Sequence, residues 1–141
     1  MQEQTMRRLF ITLLFLVSSM PAYAELHLFF LANEKGGANA PELAFVNMKD
    51  YQTHQCLAAV ENLAASAEKQ GIEFIDGRCV NTFYKFSVPT EDIKYVYLMR
   101  YLGGAPTLLL TDSVEDCYQQ MIAMDDGEVF CGRSSQRIVY P

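Results

Sequence analysis

The chain has 141 residues, half of them apolar, with 11 Lys and Arg against 17 Asp and Glu, a formal charge of −6. That length suits one domain, the apolar share excludes a wholly disordered chain, and the acidic balance supplies no attraction to nucleic acid or to an anionic membrane. Four cysteines, two histidines and no tryptophan are a thin stock for catalysis.

The first 24 residues read as an export leader. Arg7-Arg8 precedes the nine-residue apolar run Leu9–Val17, and Pro21 leads into Ala22-Tyr23-Ala24, an A-x-A cleavage signal. A bilayer-spanning helix needs about 20 apolar residues, so a retained anchor is not expected. Met6 sits directly before the arginines and offers a second start. Cleavage after Ala24 leaves 117 residues, Glu25–Pro141, with 9 basic and 16 acidic residues and a charge of −7. The short leader with two arginines suits a bacterial exporter, which points to the periplasm first and the medium second.

Leu26–Leu31 is a short apolar run suited to a buried strand. Residues 33–42 form a loop by their Gly, Asn and Pro content, and Leu43–Val46 suits another short strand. A helix is expected from Asp50 or Thr53 to about Gln70, with Cys56, Val60, Leu63 and Ala67 on one face and Gly71 just beyond its end. Ile72–Ile75 and Arg78–Phe86 flank Asp76-Gly77, which fits either a tight hairpin or one strand with a bulge. Residues 90–104 carry conflicting signals. Thr90 as a cap, two acids after it and the Gly103-Gly104 pair favour a helix, while the Tyr and Val content favours a strand; the end signals decide for a helix inserted between two halves. Pro106–Leu110 reads as a buried strand. Ser113 caps a helix with Asp116 three residues on, and Val114, Cys117, Met121 and Met124 share its inner face. Asp126-Gly127 closes that helix, Glu128–Cys131 is a strand, and Ile138–Tyr140 suits a terminal one.

An internal echo emerges. Each half reads β-α-β, with one cysteine near the helix start (Cys56, Cys117) and one in the following strand after an Asp-Gly (Cys79, Cys131). An even cysteine set in a small exported domain is a disulfide framework. The echo favours Cys56–Cys79 and Cys117–Cys131 over pairing helix with helix and strand with strand. A C-x-x-C redox motif is absent, and no cysteine pair has zinc-ligand spacing.

Chemistry is sparse elsewhere. His27, in an apolar run, reads as an exposed edge or terminal residue, and His54 as a solvated residue in the first turn of a helix. No H-E-x-x-H, G-x-S-x-G, S-x-x-K or P-loop occurs. The acidic pairs Glu91-Asp92 and Glu115-Asp116 suit helix N-terminal turns, and Asp125-Asp126-Gly127 is too short for a calcium loop. Neither a catalytic set nor a cofactor or metal site is expected. Tyr95, Tyr97, Arg100 and Tyr101 form the first candidate interaction surface, since Tyr and Arg concentrate at binding hot spots; the competing reading is a core element with amphipathic rings. Loop 33–42 is the second candidate.

The expected fold is α+β: two β-α-β halves forming a small sheet with helices on one face, braced by two disulfides, in the manner of a ferredoxin-like layer. The expected function is that of a small exported acidic binding protein whose partner is a protein, cationic by charge complementarity, as an inhibitor or immunity-type protein would meet. A small carboxylate-dependent hydrolase and a structural component of an envelope assembly are the alternatives.

Overall fold

The computed structural model describes residues 24–37, 39–103, 105–124 and 128–139. Nearly all of the expected leader, the Asp125–Gly127 turn and Gly104 lie outside these residues. The described chain is α+β, with strands β1 (Glu25–Glu34) and β2 (Glu42–Asn47), helix α1 (Thr53–Lys69), then β3 (Ile72–Thr82), β4 (Lys85–Phe86), β5 (Tyr95–Leu102) and β6 (Ala105–Thr111). Helix α2 (Val114–Ile122), β7 (Glu128–Ser134) and β8 (Ile138–Val139) complete it. Six strands form a mixed sheet in the order β3-β1-β2-β7-β5-β6, and β4 pairs with β8 in a separate ribbon.

The order repeats. β3-β1-β2 and β7-β5-β6 are each an antiparallel trio centred on its first strand, joined by one parallel bridge, Glu42 to Arg133. Each half is therefore β-β-α-β: β2 falls on the short strand expected at Leu43–Val46, and the second half gains a strand the sequence did not suggest. Leu28 lies opposite Cys79 and Val46, and Leu98 opposite Cys131 and Leu109, so the halves correspond residue by residue. The correspondence continues past the sheet. Tyr84 N–H donates to Thr82 Oγ1 (3.2 Å) as Gln136 N–H donates to Ser134 Oγ (3.1 Å), and Phe86 and Ile138 pair with one another in the ribbon.

Residues 90–104 do not form the expected inserted helix. They supply β5, the central strand of the second half. The local signals have other uses: Thr90 Oγ1 accepts from Asp92 N–H (3.3 Å), a turn rather than a cap, and Gly103 (φ +57°) reverses the chain into β6. Apolar side chains on both faces of Tyr95–Leu102 are what a doubly covered central strand requires. Around Asp76-Gly77 the chain is one strand; its register slips opposite Leu31 and Ala32, leaving Ile75 as the extra residue of a bulge.

Both helices lie on one face of the sheet. α1 packs Cys56 on Leu28 and α2 packs Cys117 on Leu98, and the disulfides Cys56–Cys79 and Cys117–Cys131 tie each helix to the third strand of its own half. Gly77 allows this approach, since a Cβ there would come within 2.7 Å of Val60 Cγ1. Gly71 (φ +72°) ends α1 as expected. The N-cap is Gln52, where Gln55 Oε1 accepts the Gln52 N–H at 2.8 Å, instead of Asp50 or Thr53. Ser113 caps α2 as expected, its hydroxyl accepting from Asp116 N–H at 3.0 Å.

The opposite face holds the main core: Phe29, Leu31, Leu43, Phe45, Val80, Tyr97, Met99, Tyr101, Leu108 and Ile138, drawn from both halves. Each fully buried side chain of this kind contributes about 1.5–3 kcal/mol. The edge strands β3 and β6 run parallel and approach within 8 Å (Cα–Cα), so the sheet rolls toward a six-stranded barrel. Its two seams are plugged by corresponding side chains. Gln136 Oε1 accepts from Phe45 N–H (2.8 Å) and its Nε2 donates to Phe45 O (2.9 Å); Tyr84 Oη accepts from Leu108 N–H (3.4 Å). The β4–β8 ribbon covers one end, where Phe86 stacks on Phe45 at 3.9 Å and meets His27 edge-on at 5.5 Å. His27 is thus buried at 2% exposure, not the edge residue expected, because β1 is central and the ribbon lies over it.

Candidate binding groove

The halves differ most in one helix and in the loop between their first two strands, and a groove forms where these two differences meet. α1 has 17 residues against 9 in α2, and β1 joins β2 through residues 35–41 while β5 joins β6 through two residues. The longer helix overhangs the sheet beside the longer loop. Between them lies a groove of about 510 Å³, lined by Phe30, Ala32 and Ala44 on the sheet, Leu63, Ser66 and Ala67 on α1 with Gln70 at its C-terminal cap, and Asn33, Glu34, Asn39 and Glu42 in or beside the loop. Arg133 comes from the second half and Ile93 from the connection that leads into it. That volume falls among clefts that enclose a ligand of a few dozen atoms.

Small buried residues, Ala32 (8% exposed) and Ala67 (6%), lie at the bottom, with Glu34 and Glu42 exposed at the rim. Ala32 pairs with Glu42 across β1 and β2, which sets Glu34 and Glu42 on one face at diagonal positions, about 7–8 Å apart by sheet geometry. The loop is held in shape by its own hydrogen bonds. Asn33 Oδ1 accepts from Glu34 N–H (3.0 Å), Asn33 Nδ2 donates to Asn39 O (2.9 Å), and Gly37 N–H donates to Glu34 O (2.9 Å). Gly36 supplies the left-handed turn (φ +76°). Arg133 fastens the far side, its backbone N–H donating to Pro41 O (2.8 Å) and its Nε to Ala40 O (3.0 Å). The groove is therefore preformed, which lowers the ordering cost of binding.

The loop singled out from sequence contributes Asn33, Glu34, Asn39 and Glu42 to this lining. Leu63, read there as a core position, is 39% exposed and forms groove wall. Arg133 and Ile93 escaped sequence reading because they arrive from the other half and the connection leading into it; the available clue was that Arg133 shares a sheet face with Cys131, two residues earlier.

The other candidate surface does not assemble as one. Tyr97 and Tyr101 are buried in the core (1% and 5% exposed), Tyr95 is partly buried against it, and Arg100 lies on the opposite, helix-bearing face of β5. Tyr97 Oη donates to Gln136 O (2.8 Å) and accepts from Ile138 N–H (3.2 Å), so it anchors the C-terminal segment. Arg78 lies 3.9 Å over the Tyr101 ring and pairs with Asp76 (3.2 Å) and with Glu128. Burial, reinforced by the charge of Asp76 and opposed by Arg78, drives the Tyr101 hydroxyl well above the usual tyrosine range, so it stays neutral.

Glu91 and Asp92 lie in an exposed connection, not a helix, with Asp92 3.3 Å from Lys94; Glu115 and Asp116 sit in the first turn of α2. His54 is exposed in the first turn of α1. Among the described residues no three His, Cys, Asp or Glu side chains converge to hold a metal ion, and no helix is long and apolar enough to cross a membrane. No family model, curated protein or solved structure matches the chain.

Proposed function

We propose that this protein is a small exported binding protein that receives its protein partner at the groove between α1 and the 33–42 loop. The observation that carries this reading is where the groove arises. Two halves that share strand order, disulfide placement and several hydrogen bonds differ most in the length of one helix and of one loop, and these two largest departures enclose the same space. Packing of the barrel needs neither, since the second half is built without them. Two disulfides fit an oxidising compartment, and together with the leader-like N-terminus they favour export, to the periplasm first. The acidic chain steers a cationic partner towards it.

The test is capture from native envelope and medium fractions, at low and high salt, by the chain beginning at Glu25 and by a groove-filled variant, Ser66→Trp. Ser66 is exposed on α1, so the substitution leaves the core intact. A protein retained by the wild type, weakened by salt and lost with Ser66→Trp supports the reading. Retention indifferent to Ser66→Trp, or recovery only within large envelope complexes, overturns it.

A further inference from the structure

The groove joins two chemistries that few side chains satisfy together. Its floor is aliphatic and made of small residues, Ala32, Ala44 and Ala67, walled by Phe30, Leu63 and Ile93. Its rim carries two carboxylates, Glu34 and Glu42, on one sheet face. Arg133 is the one cation among the lining residues, and its Nε is committed to Ala40 O. A long aliphatic stem ending in a cation matches both parts: the stem covers the apolar floor while the head stays at the wet, acidic rim. We infer that the groove takes an extended segment of a partner protein through one lysine or arginine side chain, whose head group lies between Glu34 and Glu42. The inference rests on the binding function proposed above and adds the chemistry of the partner's anchor.

The geometry also sets a limit on that segment. Arg133 stands beside Glu42 across the parallel bridge, so the two carboxylates leave a net charge of −1 in the lining, enough to balance one cationic head; a second basic residue meets like charge, whereas an acidic or neutral one does not. One basic anchor flanked by apolar or acidic residues therefore fits better than a run of lysines. The constraint separates groove recognition from general attraction between an acidic protein and any polycation.

Short fluorescein-labelled peptides test this by anisotropy against the oxidised protein beginning at Glu25. The probes are a Leu-Lys-Leu-Glu sequence flanked by Gly and Ser, the same peptide with norleucine for lysine, a tetralysine peptide, and acetyl-lysine amide as unlabelled competitor. The expected result is binding of the lysine peptide, weakened about tenfold by the double variant Glu34→Gln and Glu42→Gln and by norleucine, since two exposed charge contacts are worth up to about that together. Ser66→Trp should abolish it, and Glu115→Gln, remote from the groove, should not change it. Equal binding of the norleucine peptide, tighter binding of tetralysine, or competition by acetyl-lysine amide at the peptide's own affinity overturns this inference. Those outcomes leave the groove's role in capture standing, because that role is read from Ser66→Trp with native fractions. Far-UV circular dichroism and unchanged thermal midpoints show that the charge variants, both at exposed positions, are folded.

Discussion

Tyr101 buries 95% of its surface beneath Arg78, and its hydroxyl meets no hydrogen-bond partner among the described residues. In the unfolded chain that hydroxyl is bonded to water, so folding strips it without compensation, at a cost of about 1–3 kcal/mol. Tyr101→Phe deletes the oxygen and keeps the ring under Arg78 and against Phe130. The variant should therefore be more stable than the wild type by about 1 kcal/mol. With an unfolding entropy of about 2 cal/mol/K per residue over the 117 residues from Glu25 onward, that raises the thermal midpoint by about 4 °C. Urea unfolding with both disulfides intact, followed by circular dichroism, measures the difference in midpoint at constant slope. The pH dependence gives a second reading. Because the folded hydroxyl titrates above the unfolded one, the wild type holds its full stability below pH about 10. It then loses up to about 1.4 kcal/mol per pH unit as the unfolded phenol ionises and the folded one does not. Tyr101→Phe lacks that loss, so the gap between the two proteins should widen in alkali. A variant less stable than the wild type by more than about 0.5 kcal/mol would refute the reasoning, because the hydroxyl would then have a partner worth keeping.

Gln136→Leu keeps most of the volume but leaves Phe45 N–H and O without their amide, and should cost about 2–4 kcal/mol in urea unfolding, far above an ordinary surface substitution. Gly132→Ala places a Cβ within 2.9 Å of Leu43 Cβ and 3.0 Å of Leu31 Cδ1, so β7 must shift from β2; a loss of about 1–3 kcal/mol is expected, and a neutral result would mean that the seam is loose. Replacing Cys56 and Cys79 together by alanine, or Cys117 and Cys131, opens loops spanning 23 and 14 residues; the chain-entropy model gives losses of about 3.4 and 3.0 kcal/mol, and thermal midpoints of the two double variants should accordingly lie close together.

Much of this architecture was legible because the repeat is written in the cysteines. Cys56 and Cys117 sit early on amphipathic helices, Cys79 and Cys131 sit in the strands that follow, and the disulfides join them as the echo implied. The helical reading of residues 90–104 failed for a physical reason. Thr90, Glu91, Asp92 and the glycine pair are equally good turn formers, and local chemistry could not tell a cap from a turn. What separates them is long-range: Leu98 takes the place of Leu28 only through its pairing with Cys131 and Leu109, and the differing loop and helix lengths of the two halves hide that correspondence from the cysteine spacing. His27 was misjudged similarly, since a central position in the sheet and a covering ribbon from residues 85–86 and 138–139 leave no local trace. Of the groove, the loop was visible in its Gly and Asn content, while the wall from Arg133 and Ile93 depends on how the halves meet.

Each disulfide closes within its own half, and the boundary between the halves is the exposed connection 87–94. The consequence concerns the order in which thiols become available. In a chain that emerges N-terminus first, Cys56 and Cys79 become available before Cys117 and Cys131, so each correct partner is the nearest one in sequence. Order of arrival then favours the right pairs among the three ways of joining four thiols.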